Sequence, residues 1–379
     1  MMTRRALLGG ATAALAARGQ SASTAGPLFA YVGCYTTAQR YARGDGIHGY
    51  RVEEEPGAWT HVQRAGDLVN PSFLIAARDG RHLYSAHGDE TYATAFAIDR
   101  ASGNLALLNR AETGGRNGVH LALDASGRWL VVANYSSGSV AVLPVKEDGR
   151  LAEAAHVVPL PGQPGPHRVE QAGSHPHQIV FDPSGRFVVV PDKGLDRIFV
   201  FAFDSATGKL TPTAQGSAVA RPGSGPRHAA FHPALTVLWV LNEIASTVTT
   251  YYWEAERGHL RAAQILPTLP PEYTGENTAS EIAVSAGGKF VYCSNRGHDS
   301  IAVFAADPAS GLLTSGGWTP SQGRTPRFIG FDPARRVLYA ANEQSDTIVA
   351  FRGDAASGRL TAAGQIVRTA SPVSIAFVG

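Results

Sequence analysis

Cysteine and methionine are nearly absent: the 379-residue chain has two of each. Neither Cys34 nor Cys293 has a partner at metal-site spacing, and there is no CxxCH segment, which excludes a zinc ribbon and an attached haem. Charge is also sparse. Charged residues make up 17% of the chain, against about 25% in an average soluble domain. Lys and Arg number 33 against 31 for Asp and Glu, so no basic excess serves nucleic acid. No long run rich in Ala, Glu, Lys and Leu occurs beyond the N-terminus, which excludes a helical bundle or coiled coil. There is no Gly-x-Ser-x-Gly elbow, no HExxH and no GxxxxGK[ST] loop. What is present is glycine (42 residues), proline (23) and a hydrophobic share of 44%, enough for a core. The chain reads as a Gly-rich, strand-rich globular protein.

Residues 1–25 form a separate unit. Arg4 and Arg5 precede Leu7 and Leu8, an Ala-rich apolar stretch follows to Ala17, and small residues surround Ala22 to Ala25. A positive start, a short apolar run and a small-residue end make an export signal, here of the twin-arginine kind. The run is too short and interrupted to span a membrane. The expected location is therefore periplasmic or secreted, or cytoplasmic if these residues are not a signal. In an exported protein Cys34 and Cys293 could pair, but Cys34 lies in the apolar segment Phe29–Tyr35 and reads as a buried strand residue.

Residues 26–379 carry a repeat. An apolar strand, an Asp-Pro-Ser-Gly-Arg-type turn and a second apolar strand recur, as in His177-Gln-Ile-Val-Phe-Asp-Pro-Ser-Gly-Arg-Phe-Val-Val-Val-Pro-Asp192. Copies start at Ser72, Val119, His177, Arg227, Ser280, Arg327 and Val373. The first six copies continue with a third and a fourth strand. Asp79-Gly80, Ser126-Gly127 and Ser184-Gly185 supply tight turns. Four short strands per unit at this period predict propeller blades. The seventh copy has one strand, and the segments near Phe29–Tyr35, Ile47–Val52 and Trp59–Arg64 supply the missing three. The expectation is all-β: a single seven-bladed β-propeller whose last blade is closed by both termini.

That fold predicts a site. Antiparallel pairing sets the start of the first strand beside the end of the second, so two sets of positions meet at the channel mouth. They carry His175, His177, Asp192 and Lys193 in blade three, Arg227, His228 and Glu243 in blade four, and Glu281, Asn295 and Arg296 in blade five. Carboxylates, imidazoles and guanidiniums gathered in a concave mouth make a candidate active site. Asn134, Asn242 and Asn342 read instead as turn-binding residues. His175 and His177 could be a metal pair, but residues two apart with a proline between them suit this poorly, and no metal site is expected.

Ordered at the repeat spacing are Asn70-Pro-Ser72, Val132-Ala-Asn-Tyr135, His175-Pro-His-Gln178, Gly225-Pro-Arg-His228, Leu241-Asn-Glu243, Ala279-Ser-Glu-Ile282 and Ser294-Asn-Arg-Gly297. With these the chain resembles the bacterial seven-bladed lactonases of 6-phosphogluconolactonase type, to which a fungal carboxymuconate cycloisomerase is related. The resemblance implies a catalytic set of His177 (by strand phase, rather than His175), Arg227, Glu243 and Arg296. His175, Asp192, Lys193, His228, Glu281 and Asn295 are then expected to bind substrate. The family's Thr is Cys34 here. Implied is hydrolysis of a small-molecule sugar lactone without cofactor; a ring with closed sheet edges needs no partner, so a monomer is expected. Glu243 or His177 would be the base, and Arg227 or Arg296 would hold the oxyanion. A muconate-type cycloisomerase on the same site and a non-catalytic exported binding propeller remain as alternatives.

Overall fold

The computed structural model describes residues 27–53 and 58–379, so the export-signal expectation for residues 1–25 lies outside the described residues. Strands account for nearly all regular structure. They form seven four-stranded antiparallel sheets. Six sheets are consecutive in sequence, over residues 71–112, 118–159, 180–219, 226–267, 278–320 and 326–368. The seventh joins the ends: the strand Pro372–Val378 pairs with Leu28–Cys34, which leads to Ile47–Val52 and Trp59–Ala65. Pairs from Phe29 with Val378 to Gly33 with Ser374 hold this seam. The expected closure by both termini is what is found.

Local chemistry explains the repeat. In blade three the Asp182 carboxylate accepts the backbone N–H of Ser184 at 3.2 Å and of Phe187 at 2.8 Å, and Gly185 takes φ of 71°. Asp124 and Gly127 do the same in blade two. The side chain replaces backbone partners that a tight turn leaves unpaired. The second strands, such as Phe187–Asp192 and Val237–Asn242, are buried throughout. Each is covered on both faces, which is why they read as continuous apolar runs rather than alternating ones.

Seven hydrophobic clusters of described residues sit one between each pair of neighbouring blades. Cys34 lies in the cluster between blades six and seven and Cys293 in that between blades four and five. Both are buried free thiols, so they are not a disulfide. Cys34 faces this inter-blade core and not the channel.

The innermost strand of blade three departs from the pattern. Only Val180–Phe181 is regular strand, and the His175–Gln178 segment holds on through a single bridge between Pro176 and Asp192. Pro176 has no N–H to donate. The Gln178 side chain turns sideways to accept the N–H of Ala229 at 2.6 Å. His175 and His177 thus stand on a bent segment.

Candidate active site

Register assembles the site. The start of each innermost strand pairs with the end of the second: Pro226 with Asn242, Ala279 with Asn295, Pro326 with Asn342. Residues just after these partners therefore converge at the mouth. A cavity of about 210 Å³ opens there, with His177, Lys193, Glu243, Arg296 and Arg327 in its wall alongside Tyr35, Arg40 and Tyr135.

Glu243 is the hub. Its Oε1 lies 3.2 Å from both Nζ of Lys193 and Nη2 of Arg296. Its Oε2 lies 2.8 Å from Nε of Arg227, close in charge although not aligned as a hydrogen bond. Burial alone would raise the Glu243 carboxyl. The charges of Arg296, Lys193, Arg227 and Arg327 outweigh it and hold the group well below the usual carboxylate range. Glu243 is thus a firmly ionised anion with little basicity. Lys193 also reaches Glu170 at 2.5 Å and lies 5.4 Å over the Tyr135 ring. Burial opposes its charge, but Glu243 and Tyr135 raise its pKa.

Arg227 sits deeper than the mouth, in a narrow waist. It donates Nη1 to the Ser280 carbonyl across the blade boundary. Burial, and then Arg296, lower it to about 10, still charged at neutral pH. His177 lines both mouth and waist. Burial, followed by Arg227, His228, Arg327 and Lys193, pushes its pKa far down, so its imidazole is neutral. A neutral ring can accept a proton.

The other predicted residues divide by depth. His228 and Glu281 meet below the mouth, with Nδ1 and Oε1 2.5 Å apart. His175 stacks on Tyr135 at 4.4 Å, and that ring presents its edge to His177. The two histidines therefore flank one aromatic ring rather than a shared metal position. Two expectations are revised. Asp192 spends its carboxylate on Ser174 and on the N–H groups of His175, Gly194 and Leu195. Asn295 is fully engaged by Thr268, Asn277 and Ser300. Neither lines the mouth cavity, and both brace loops around it. Asn134, Asn242 and Asn342 likewise bind turn and strand atoms next to them.

Among the mouth residues without an assigned role in the sequence reading are Arg327, Tyr35 and Arg40. Arg327 stands in blade six where Arg227 stands in blade four, so Thr325-Pro-Arg327 against Gly225-Pro-Arg227 was a usable signal. It lies 5.0 Å over the Tyr35 ring, and its nearest carboxylate is Glu343 at 3.9 Å. Tyr35 and Arg40 come from the connection after Leu28–Cys34, which has no counterpart in the repeat. Arg40 is held by Asp89 at 2.6 Å and also covers Tyr35.

Comparison with known proteins settles the family. The family described as "Lactonase, 7-bladed beta-propeller" matches residues 29–377. The chain belongs to this family. Among curated relatives, a 6-phosphogluconolactonase of Bacillus subtilis is 35% identical over 315 residues, 81% of this chain and 86% of that protein. One of Formosa agariphila, also named 6-phosphogluconolactonase, is 30% identical over 315 residues, 81% of this chain and 87% of that protein. The solved structure of the periplasmic gluconolactonase of Pseudomonas aeruginosa matches with a TM-score of 0.85 at 31% identity, covering 93% of this chain and 99% of that one. For this seven-bladed lactonase, family and relatives together support hydrolysis of a lactone, a small-molecule substrate. Among the described residues no helix is long and apolar enough to cross a membrane.

Proposed function

We propose that this lactonase hydrolyses a sugar lactone that carries an anionic group. The observation that supports this most is the charge of the mouth: Lys193, Arg296 and Arg327 share one cavity with a single carboxylate, Glu243. Guanidiniums and an ammonium so placed fit a phosphate or carboxylate on the substrate, and equally the carboxylate product.

The chemistry follows from the two candidate bases. Glu243 is surrounded by three cationic partners and has its proton affinity pinned down. His177 is neutral and free to accept. Beside burial and Arg227, two of the cations that depress it, Arg327 and Lys193, line the mouth where a substrate anion would offset them, so binding itself raises its basicity. In this reading His177 takes a proton from water, and the hydroxide oxygen bonds to the lactone carbonyl carbon. Arg296 and Arg327 hold the oxyanion. The ring C–O bond then breaks, and the departing alkoxide takes the proton of the newly formed carboxyl group, leaving a hydroxyl and a carboxylate. General-base help of this kind is worth ~10²–10⁴-fold, and one oxyanion donor about 3 kcal/mol. Glu243 and Arg227 position the cations.

The proposal extends to location: residues 1–25 direct export, in keeping with the name of the Pseudomonas relative, a periplasmic protein. A panel of phosphorylated and unphosphorylated sugar lactones, with a muconolactone beside them, tests the reaction. Spontaneous, hydroxide-driven opening is kept slow by working near pH 6.5. Hydrolysis of an anionic sugar lactone, lowered about 100-fold or more by His177→Asn, is the expected result. Activity within twofold in that variant, or turnover of the muconolactone alone, would sink the reading. Fractionating cells that carry Arg4→Lys and Arg5→Lys tests export, and unchanged secretion would count against the twin-arginine route.

A further inference from the structure

Below the mouth the channel narrows to a waist cavity of about 10 Å³. A space of ~10–15 Å³ holds one water molecule. Its walls include His177, Arg227, His228, Glu281 and Arg327, with Tyr35 and Ser72 beside them. Three nitrogens of these walls are buried without a hydrogen-bond partner: Nε of Arg227, which faces the Glu243 carboxylate, and Nδ1 of His177 and Nε2 of His228, which have no charged partner. The two rings are 5.2 Å apart, centre to centre. Leaving a buried polar atom unpaired costs about 1–3 kcal/mol, and one water between the rings satisfies both.

His228 turns its other nitrogen to Glu281, with Nδ1 and Oε1 2.5 Å apart. The same Oε1 accepts the N–H of Ile282 at 3.2 Å. An oxygen that accepts from two N–H groups is the carbonyl side of a carboxyl, which leaves Oε2 for the proton. Burial favours that neutral acid and raises Glu281 to about 8, against the pull of Arg227 and Arg327. The remaining titratable neighbours are neutral as well. His228 and His120, 5.6 Å apart, are both pushed down by burial. The Cys293 thiol on the adjacent strand is pushed up. Glu281 also lines a second cavity, of about 550 Å³, at the opposite face of the disc, among Phe73, Phe231, Phe328 and Phe331.

We propose that His177 exchanges its proton with the far face of the propeller through one waist water, His228 and Glu281. The inference rests on the hydrolytic role given to His177 above. Hydrolysis of a lactone to a carboxylate releases one proton per turnover, and the mouth is a poor place for it, because an imidazolium there faces Arg227, Arg327 and Lys193. As Nε2 of His177 takes the proton of the attacking water, its Nδ1–H passes to the waist water. That water protonates Nε2 of His228, the Nδ1–H of His228 passes to Oε1 of Glu281, and the proton on Oε2 leaves to water in the lower cavity. Each bond to hydrogen that breaks is matched by one that forms, so one proton moves and nothing is oxidised or reduced. Rotation of the waist water and tautomer exchange restore the start.

The wiring and the flow are tested separately. A crystal structure at atomic resolution should show an ordered water within hydrogen-bond distance of Nδ1 of His177 and Nε2 of His228; a dry waist overturns the proposal. In kinetics, Glu281→Gln keeps the shape and the carbonyl but cannot hand on a proton. We expect kcat to fall at least about tenfold, KM to stay within twofold, and added imidazole to restore most of the rate. An unchanged kcat, or a loss that imidazole does not restore, overturns the relay. Failure of the wild type to hydrolyse any lactone would instead defeat the functional reading, and the waist water would still decide the wiring.

Discussion

Glu243 shows how one residue can matter to both stability and chemistry. It is buried, it offsets Arg227 and Arg296 within direct reach, and it shares Lys193 with Glu170. Removing one member of a buried ion cluster leaves the others uncompensated, at a cost of about 3–5 kcal/mol. Glu243→Gln should therefore lower stability by that order in urea unfolding. It should also lower activity, since the released cations shift and depress His177 further. A variant as stable as the wild type would show that the network is solvated more than its burial indicates. Arg227 has a related part. It links Glu243 of its own blade to the Ser280 carbonyl of the next, so Arg227→Ala disturbs the site from below.

The strand elements owe their ends to turn chemistry, and the same turn is solved in different ways. Asp124, Asp182 and Asp332 each accept backbone N–H groups across the turn between first and second strands. In blade four the task falls to Nδ1 of His232, which accepts from Ala234 and Leu235. In blade five Ser285 accepts from Phe290. Asp182→Ala strips a buried carboxylate from Ser184 and Phe187. The expected cost is about 2 kcal/mol, the range for hydrogen bonds to a charged group. The turn is at the face opposite the mouth, so lactonase activity per folded molecule should not change. Paired urea unfolding and kinetics check this; a stability loss under ~0.5 kcal/mol would make the carboxylate dispensable. This level was legible in sequence, because a turn depends on a few adjacent residues. The blade-three irregularity was less so: the side-chain bond from Gln178 to Ala229 joins residues of different blades.

At the scale of the whole molecule, seven sheets share seven inter-blade cores and one axis, and the polar groups trapped near that axis give stability a pH dependence. His87, His120, His177 and His228 are all held neutral by burial, His87 with its pKa lowered to about 4. The unfolded chain binds protons at these positions below about pH 6.5, and the folded one resists until well below. Their contribution is therefore complete above pH 6.5 and is lost as pH falls beneath it, by up to about 1.4 kcal/mol per pH unit for each group. Glu281 has the opposite sign. Its folded pKa is raised to about 8 from 4.5, so stability declines as pH rises between those values. Urea midpoints should thus peak near pH 6.5–7, fall steeply toward pH 5 and fall gently toward pH 8. Glu281→Gln should remove the gentle fall and keep the steep one. A midpoint unchanged from pH 7 to pH 5 would contradict the neutral, buried state of these rings.

The amino-acid sequence by itself determined the blade count, the closure by both termini and the repeat positions that face the mouth. Strand periodicity and turn residues are local, and a repeat writes them seven times. It also marked His177, Arg227, Glu243 and Arg296 as neighbours. Only the tertiary structure decided depth and partnership. Glu243 is enclosed by cations and left weakly basic, Arg327 comes within reach of His177, Asp192 and Asn295 are turned to loop bracing, and His228 meets Glu281 across two blades. These relations depend on the angle and spacing at which all seven sheets pack around the channel, which no single segment encodes.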